Sequence, residues 1–581
     1  MTHCATPGPS VTIANPKIAQ DSAVPDRMER LDRMLLLGLL AVTLRGRLWV
    51  ALTDFHNLIA FDILNDDAFY YFKIAENLVH GRGFTFDGVT PTNSFHPLYL
   101  LLVVISTMLG GESRLLPIYI AGVLMSLLAV LTGYLLYRFL AMRGSARAGL
   151  AALALWTVSP YFIAYSINGL ETQLAMAAAV AVLHVYLRDL AVPTPPTVKQ
   201  AAGFGALCGV AMLARSDLAV LIVVLLGDQL WRRRTQHVSQ TLRSAVPVLT
   251  AALLVWLPWG LVSHASSGAW LPRSGAASAL IARNIGWFNL EDVLFTSPAD
   301  NPYFDVDAPP LAWSGELLDK MLFLALHEMP LLAPLRAHQP FSMGPHVADF
   351  HPLRTPWPWL LLVTGWLCLW RWWRPRIAPA PQAAWGPLLG IYLVLFALSY
   401  VWLAPAHWYF GRYNCVPVLL VTLWMLEWAQ RQLALASRGA RVLATLLLCA
   451  VLLIELHLDR YYLAVRSAPP RLAGFLDGWQ HALPHLDPTA KIGAFQAGTI
   501  SYFSGLDIVN LDGKVNRDAY RALKDQRLHE YIAAAGIVYI ADWDWMVEAL
   551  CGRHVGAAHF KLEEIYRHDH QWLVYRVHAG P

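Results

Sequence analysis

Long apolar runs divide this chain, and the basic residues between them fall in alternate loops. No other feature restricts the fold as strongly. In hydrocarbon every backbone N–H and C=O must be satisfied within the chain, so an apolar run of about 20 residues crosses as a helix. Runs of this kind lie near 34–56, 115–139, 148–166, 170–187, 201–214, 217–231, 245–264, 357–373, 386–405, 413–430 and 441–459. They amount to about eleven spans by a window criterion. The two between 201 and 231 share one apolar stretch, broken by Arg215-Ser216-Asp217, and read as a hairpin. Only 14% of residues are charged, against about 25% in soluble proteins. The expected class is therefore mostly α, a polytopic membrane protein. A formal net charge of +4 over 581 residues is too small to point to nucleic acid.

Lys and Arg in short loops mark the cytoplasmic side. With the N-terminus in the cytoplasm, the cytoplasmic loops hold Arg138, Arg143 and Arg147, then Arg188 and Lys199, then Arg232, Arg233, Arg234 and Arg243. The next two hold Arg371, Arg374 and Arg376, then Arg431, Arg438 and Arg441. The opposite short loops hold little beyond Arg215 and Arg412, so those two need a reason other than targeting.

Three regions then fall outside: the loops 57–114 and 265–356, and the tail from about 462. Residues 1–33 read as a disordered cytoplasmic tail ending in basic residues, followed by an uncleaved signal anchor. Residues 34–461 read as the membrane domain. The tail, 462–581, alternates short strands (491–495, 508–511, 537–541, 562–566, 572–577) with helices (517–524, 527–535, 545–550), the pattern of a small periplasmic α/β domain. Four of the six cysteines lie in apolar runs, so no disulfide framework is expected, and no CxxC or His/Cys cluster suggests a structural zinc.

The first external loop opens with Asp66-Asp67, in NDDAFYYFKIAENLVHGRGF. Adjacent carboxylates at a membrane surface are costly unless they meet water, a cation or a substrate. Taking a proton from a hydroxyl there requires such a group. Asn65 or Asp66 can also cap a helix, and Ala68, Tyr71, Phe72, Ala75, Leu78 and Val79 follow on one face. An amphipathic helix lying on the membrane is expected, ended by Gly81 and Gly83. Neighbours on a helix point about 100° apart, so one carboxylate faces substrate while the other caps or orients. Asn93 and His96 precede Pro97, which starts a segment of about 13 apolar residues, too short to span.

These features together resemble the GT-C glycosyltransferases, polytopic enzymes using polyprenyl-phosphate sugars. The nearest branch contains the terminal arabinofuranosyltransferases of cell-wall arabinan. The resemblance covers most of the chain and rests on the order of several short motifs. They are Asp66-Asp67 with Gly81-Arg82-Gly83, Gly169-Leu170-Glu171 in NGLET, Arg215-Ser216-Asp217, Pro272-Arg273-Ser274, WYFGRY and NLDGKVN. Relatives often place a lysine shortly after the Pro-x-Ser turn; Ser278 stands here, leaving Arg273 or Arg283 to supply the charge.

The resemblance implies transfer of a hexosyl or pentosyl unit from a polyprenyl-phosphate donor, with inversion, to a cell-envelope glycan or glycolipid at the periplasmic face of the inner membrane. Asp66 and Asp67 are both candidates for the base. Arg412, Arg215 and Arg273 are candidates for the donor phosphate, since a guanidinium can bond two oxygens at once. Glu171, Asp217, Asn93, His96, Tyr409, Asp512 and Asn516 are candidates for binding substrate. No cofactor is required, though two acids and a phosphate are compatible with Mg²⁺ or Mn²⁺. The rival class is a transporter or lipid-linked-sugar flippase, which would show inverted repeats with broken helices; no repeat stands out. An inactive scaffold with a glycan-binding tail is a third reading.

Overall fold

The computed structural model describes residues 30–61, 63–144, 146–234, 238–285, 321, 325, 329–331, 385–400, 411–467, 474–547, 560–568 and 572–579. Within them the membrane part comprises α1 (Arg30–Ala51), α2 (Phe55–Ala60), α3 (Asp66–Val79), α4 (Pro97–Gly110), α5 (Leu116–Met142), α6 (Ala146–Val158), α7 (Pro160–Ser166) and α8 (Thr172–Val185). It continues through α9 (Val198–Ala214), α10 (Leu218–Arg232), α11 (Val238–Ser267), α12 (Arg273–Ile285), α13 (Gly386–Leu398), α14 (Cys415–Ala434) and α15 (Arg438–Ser467).

Five of these helices are long and apolar enough to cross a membrane, or six if α6 and α7, bent by 68° at their junction, form one broken span. About eleven spans were expected. The shortfall has a physical source. Helices α9 and α10 have only 17 and 15 residues, each adding about 1.5 Å of rise, and α13 reaches the edge of the described residues at 400. Helix α14 has 20 residues but carries Glu427 and Arg431. The run 357–373 lies outside the described residues. Helix α9 packs on α11 through Gly205 and Gly209. A Cβ at these positions would come within 2.1 Å of the Val248 carbonyl oxygen and 2.7 Å of that of Ala252. This is the close backbone approach that paired small residues permit between membrane helices.

At one end of the bundle Glu427 is buried. It accepts from Arg143 Nε at 2.7 Å, from Trp385 Nε1 at 2.6 Å and from Arg431. A carboxylate in an apolar helix is tolerable when it is paired and hydrogen-bonded in this way.

The C-terminal part holds α16 (Gly474–Ala482), β1 (Lys491–Ala494), α17 (Gly498–Ser504), β2 (Ile508–Asn510), α18 (Arg517–Lys524) and α19 (Leu528–Ala534). It ends with β3 (Ile537–Trp543), α20 (Asp544–Val547), β4 (Phe560–His568) and β5 (Trp572–Ala579). The sheet order is β2-β1-β3-β5-β4. Strands β1, β2 and β3 run parallel, whereas β5 is antiparallel to both β3 and β4.

The sequence pattern anticipated α3 as an amphipathic helix resting on the membrane. It is instead buried on several faces, with Phe69, Tyr70, Phe72 and Ile74 in the core and Val79 exposed. The reason is a second neighbour: α4 packs on one side and α17 of the C-terminal domain on the other. Phe69 meets Tyr502 and Phe503 at ring-centroid distances of 6.0 and 5.4 Å. One apolar cluster runs from Val50 through α3 and α4 to Ile492, Ile500 and Trp572. Each fully buried aromatic contributes roughly 1.5–3 kcal/mol, so the domain is joined to the membrane part by a core and not by a tether.

Candidate active site

The site is built where α3 meets the loops that follow the parallel strands. Loops beyond the carboxyl ends of such strands are where α/β domains place ligands. The loop after β1 runs through Phe495 to Ala497 into α17, and the loop after β2 carries Asp512 and Lys514.

The two carboxylates of the acidic pair point in different directions. Asp66 turns to the C-terminal domain and accepts from the backbone N–H of Gly498 at 3.0 Å and of Thr499 at 2.6 Å. It therefore caps the start of α17, whereas Asn65, at the start of α3, makes no side-chain cap bond. Position 498 must be glycine, because a Cβ there would sit 2.1 Å from the Asp66 carbonyl oxygen. Burial pushes the Asp66 carboxyl up to about 6, against the lowering effect of the Thr499 and Gly498 bonds. One helical turn on, the Tyr70 hydroxyl donates to the Phe495 carbonyl and accepts from Ala497 N–H.

Asp67 lies between the membrane part and the C-terminal domain. Its Oδ2 accepts from Arg412 Nη2 at 2.5 Å, and its Oδ1 lies 3.6 Å from Lys514 Nζ. Burial would raise this carboxyl, but Lys514 and Arg412 outweigh it and hold it down to about 2. Lys514 is itself fixed by Asp512. The ammonium lies 3.4 Å from Asp512 Oδ2, and the backbone N–H of Lys514 donates to Oδ1 at 2.8 Å.

Next to Arg412 is a second acidic–basic group. Arg215 pairs with Asp217 at 3.1 Å and donates to the Tyr400 hydroxyl and the Arg412 carbonyl. Both guanidinium groups lie over the ring of Tyr413, at 5.3 Å for Arg215 and 5.2 Å for Arg412. Glu171 accepts from the Tyr71 hydroxyl at 2.9 Å and lies 3.6 Å from His96 Nε2.

The structure thus brings together Asp67, Glu171, Arg215, Asp217, Arg412, His96 and Asp512. Three other residues singled out from sequence make structural contacts. Asn93 ties down the turn before α12, donating to Ser263 Oγ and the Ala269 and Leu271 carbonyls. Arg273 donates to the Ser267 carbonyl and lies over Tyr520 of α18, 5.4 Å from the ring centroid. Asn516 caps α18, accepting from Asp518 and Ala519 N–H. Tyr409 lies outside the described residues, as does Trp408. Lys514 was missed, because Asp-Gly-Lys in a polar tail reads as a plain turn. Its signal is its place inside NLDGKVN, which the sequence singles out as a motif.

The acidic pair does not converge on one point as ligands of a divalent cation must. Asp66 is turned to backbone donors and Asp67 to two cations. Among the described residues, Asp477, His481 and His568 bring ligand atoms within 4.8 Å of one another. That group lies on α16 and β4, at the opposite edge of the sheet from β2.

Comparison with known proteins adds two family matches. Residues 92–261 match the family described as dolichyl-phosphate-mannose-protein mannosyltransferase, and residues 471–576 match a domain of unknown function. The first match includes His96, Glu171, Arg215 and Asp217 and begins after the acidic pair. It supports the GT-C glycosyltransferase class and does not reach the arabinofuranosyltransferase branch. Among solved structures, ArnT from Cupriavidus metallidurans bound to undecaprenyl phosphate is similar at 14% identity and a TM-score of 0.39. That alignment covers 93% of this chain and 97% of that one. The archaeal oligosaccharyltransferase AglB from Archaeoglobus fulgidus, in complex with an inhibitory peptide and a dolichol-phosphate, is similar at 14% identity and a TM-score of 0.47. It covers 94% of this chain and 74% of that one. No curated protein matches the chain.

Proposed function

We propose that this protein is an integral-membrane glycosyltransferase. It transfers a monosaccharide from a polyprenyl-phosphate donor to a hydroxyl of a cell-envelope glycan or lipid-linked acceptor, on the periplasmic side. The observation that carries this reading is the Asp67–Arg412 pair, placed at the junction of the membrane helices and the C-terminal domain. It sets a charged carboxylate beside a cation able to grip a phosphate.

Asp67 is the base. The acceptor hydroxyl oxygen bonds to the anomeric carbon as its proton passes to the Asp67 carboxylate. The bond from that carbon to the phosphate oxygen breaks, and its electron pair leaves with the polyprenyl phosphate. Arg412, with Arg215 behind it, stabilises the charge that develops on the phosphate. A single displacement inverts the anomeric centre. Glu171, held by Tyr71 and His96, lines the sugar side. Asp66 serves chiefly to dock the C-terminal domain. No divalent cation at the acidic pair is part of this proposal, because the pair's oxygens are turned to other partners.

The test is incubation of purified protein with radiolabelled polyprenyl-phosphate sugars and envelope acceptors, with Asp67→Asn alongside. Transfer by wild type and its loss in the variant are expected. Vectorial movement of lipid-linked sugar without glycosidic bond formation would identify a flippase instead.

A further inference from the structure

We infer that the C-terminal domain completes the donor site: Lys514 and Arg412 form a two-cation clamp for the donor phosphate, with the Asp67 carboxylate lying where that phosphate binds. The inference rests on the glycosyltransferase reading above and extends it to a residue outside the membrane part.

The geometry is that of one anion between two cations. Each oxygen of Asp67 faces a different one, Oδ2 toward Arg412 and Oδ1 toward Lys514. Two oxygens of a phosphate present the same pattern to the same pair. Lys514 has two acidic neighbours, and they are not equivalent. Asp512 is locked by the backbone N–H of Lys514, with its side chain only 4% exposed, whereas that of Asp67 is 27% exposed. Asp512 therefore holds the ammonium in position while Asp67 is the exchangeable partner. Lys514 is brought here because Asp66 and Tyr70 anchor the start of α17 and the loop before it.

The exchange also prepares the base. With its oxygens paired to two cations, Asp67 is held near 2 and is a poor proton acceptor. When phosphate takes those cations, the interactions that depress Asp67 are drawn away and its basicity rises. Donor binding and base activation become one event. In the transfer step the departing phosphate keeps Arg412 and Lys514, and the acceptor's proton goes to Asp67, whose carboxylate has swung off both cations to the face of the anomeric carbon opposite the phosphate.

The experiment measures binding of undecaprenyl phosphate and of undecaprenol, which lacks the phosphate, to the purified full-length protein. Wild type, Lys514→Met, Lys514→Arg and the exposed control Lys524→Met are compared. Loss of one charge-assisted contact is expected to weaken phosphate binding by roughly ten- to a hundredfold in Lys514→Met. Undecaprenol binding should not change, Lys514→Arg should recover most of the affinity, and Lys524→Met should match wild type. If Lys514→Met keeps the wild-type preference for phosphate over undecaprenol, the clamp is overturned. If it loses affinity for both lipids equally, Lys514 only docks the domain, and the clamp is again overturned. If wild type itself shows no preference for the phosphate, the glycosyltransferase reading falls first.

Discussion

Asp66 and Asp67 are chemically identical and adjacent, yet their surroundings assign them different work. Asp66 meets two backbone N–H groups, and Asp67 meets Arg412 and Lys514. Asp67→Asn should therefore lower transfer by about a hundredfold or more, the scale of a lost general base. Asp66→Asn keeps an acceptor oxygen at α17 and should cost far less. Equal losses in steady-state assays of the two variants would refute the division of labour. For Arg412 the expected order of donor affinity is wild type, then lysine, then alanine, because a point charge cannot replace a two-pronged contact. Arg438→Ala, on an exposed helix start, is the control. Isothermal titration with polyprenyl phosphate tests the order, and lysine binding as well as arginine would refute it.

At the scale of elements, the decisive contact is α3 against α17. A methyl at position 498 would overlap the Asp66 backbone, so Gly498→Ala should loosen the C-terminal domain and speed its limited proteolysis. Unchanged proteolysis would show that the contact is not what fastens the domain. The same contact has a pH signature. The folded protein holds the Asp66 proton at about 6 instead of the ordinary 3.8. Because the folded state binds that proton more tightly, the stability it contributes is fully present below about pH 4 and is lost as pH rises through 6. Between pH 4 and 7 the Tm of wild type should fall relative to that of Asp66→Asn. Parallel curves would mean that Asp66 is not the titrating group.

For the whole molecule, the alternation of basic loops predicts that a reporter fused after Pro581 is active only outside the cytoplasm. A cytoplasmic C-terminus would remove the external site altogether.

The local physics of the chain was enough to reveal the membrane class, the β-α alternation of the tail, and α4 with Pro97 at its start. These depend on run length, periodicity and backbone chemistry, all properties of neighbouring residues. It also exposed Arg215 and Arg412 as cations set apart from the basic-rich loops, and Asp66-Asp67 as carboxylates in an unlikely place. Tertiary structure decided the rest. Which carboxylate faces which partner depended on the approach of α17, more than 400 residues away in sequence. Lys514 joined the cluster for the same reason. Its turn is ordinary in isolation and becomes part of a half-buried charge network only when the parallel strands bring it against α3.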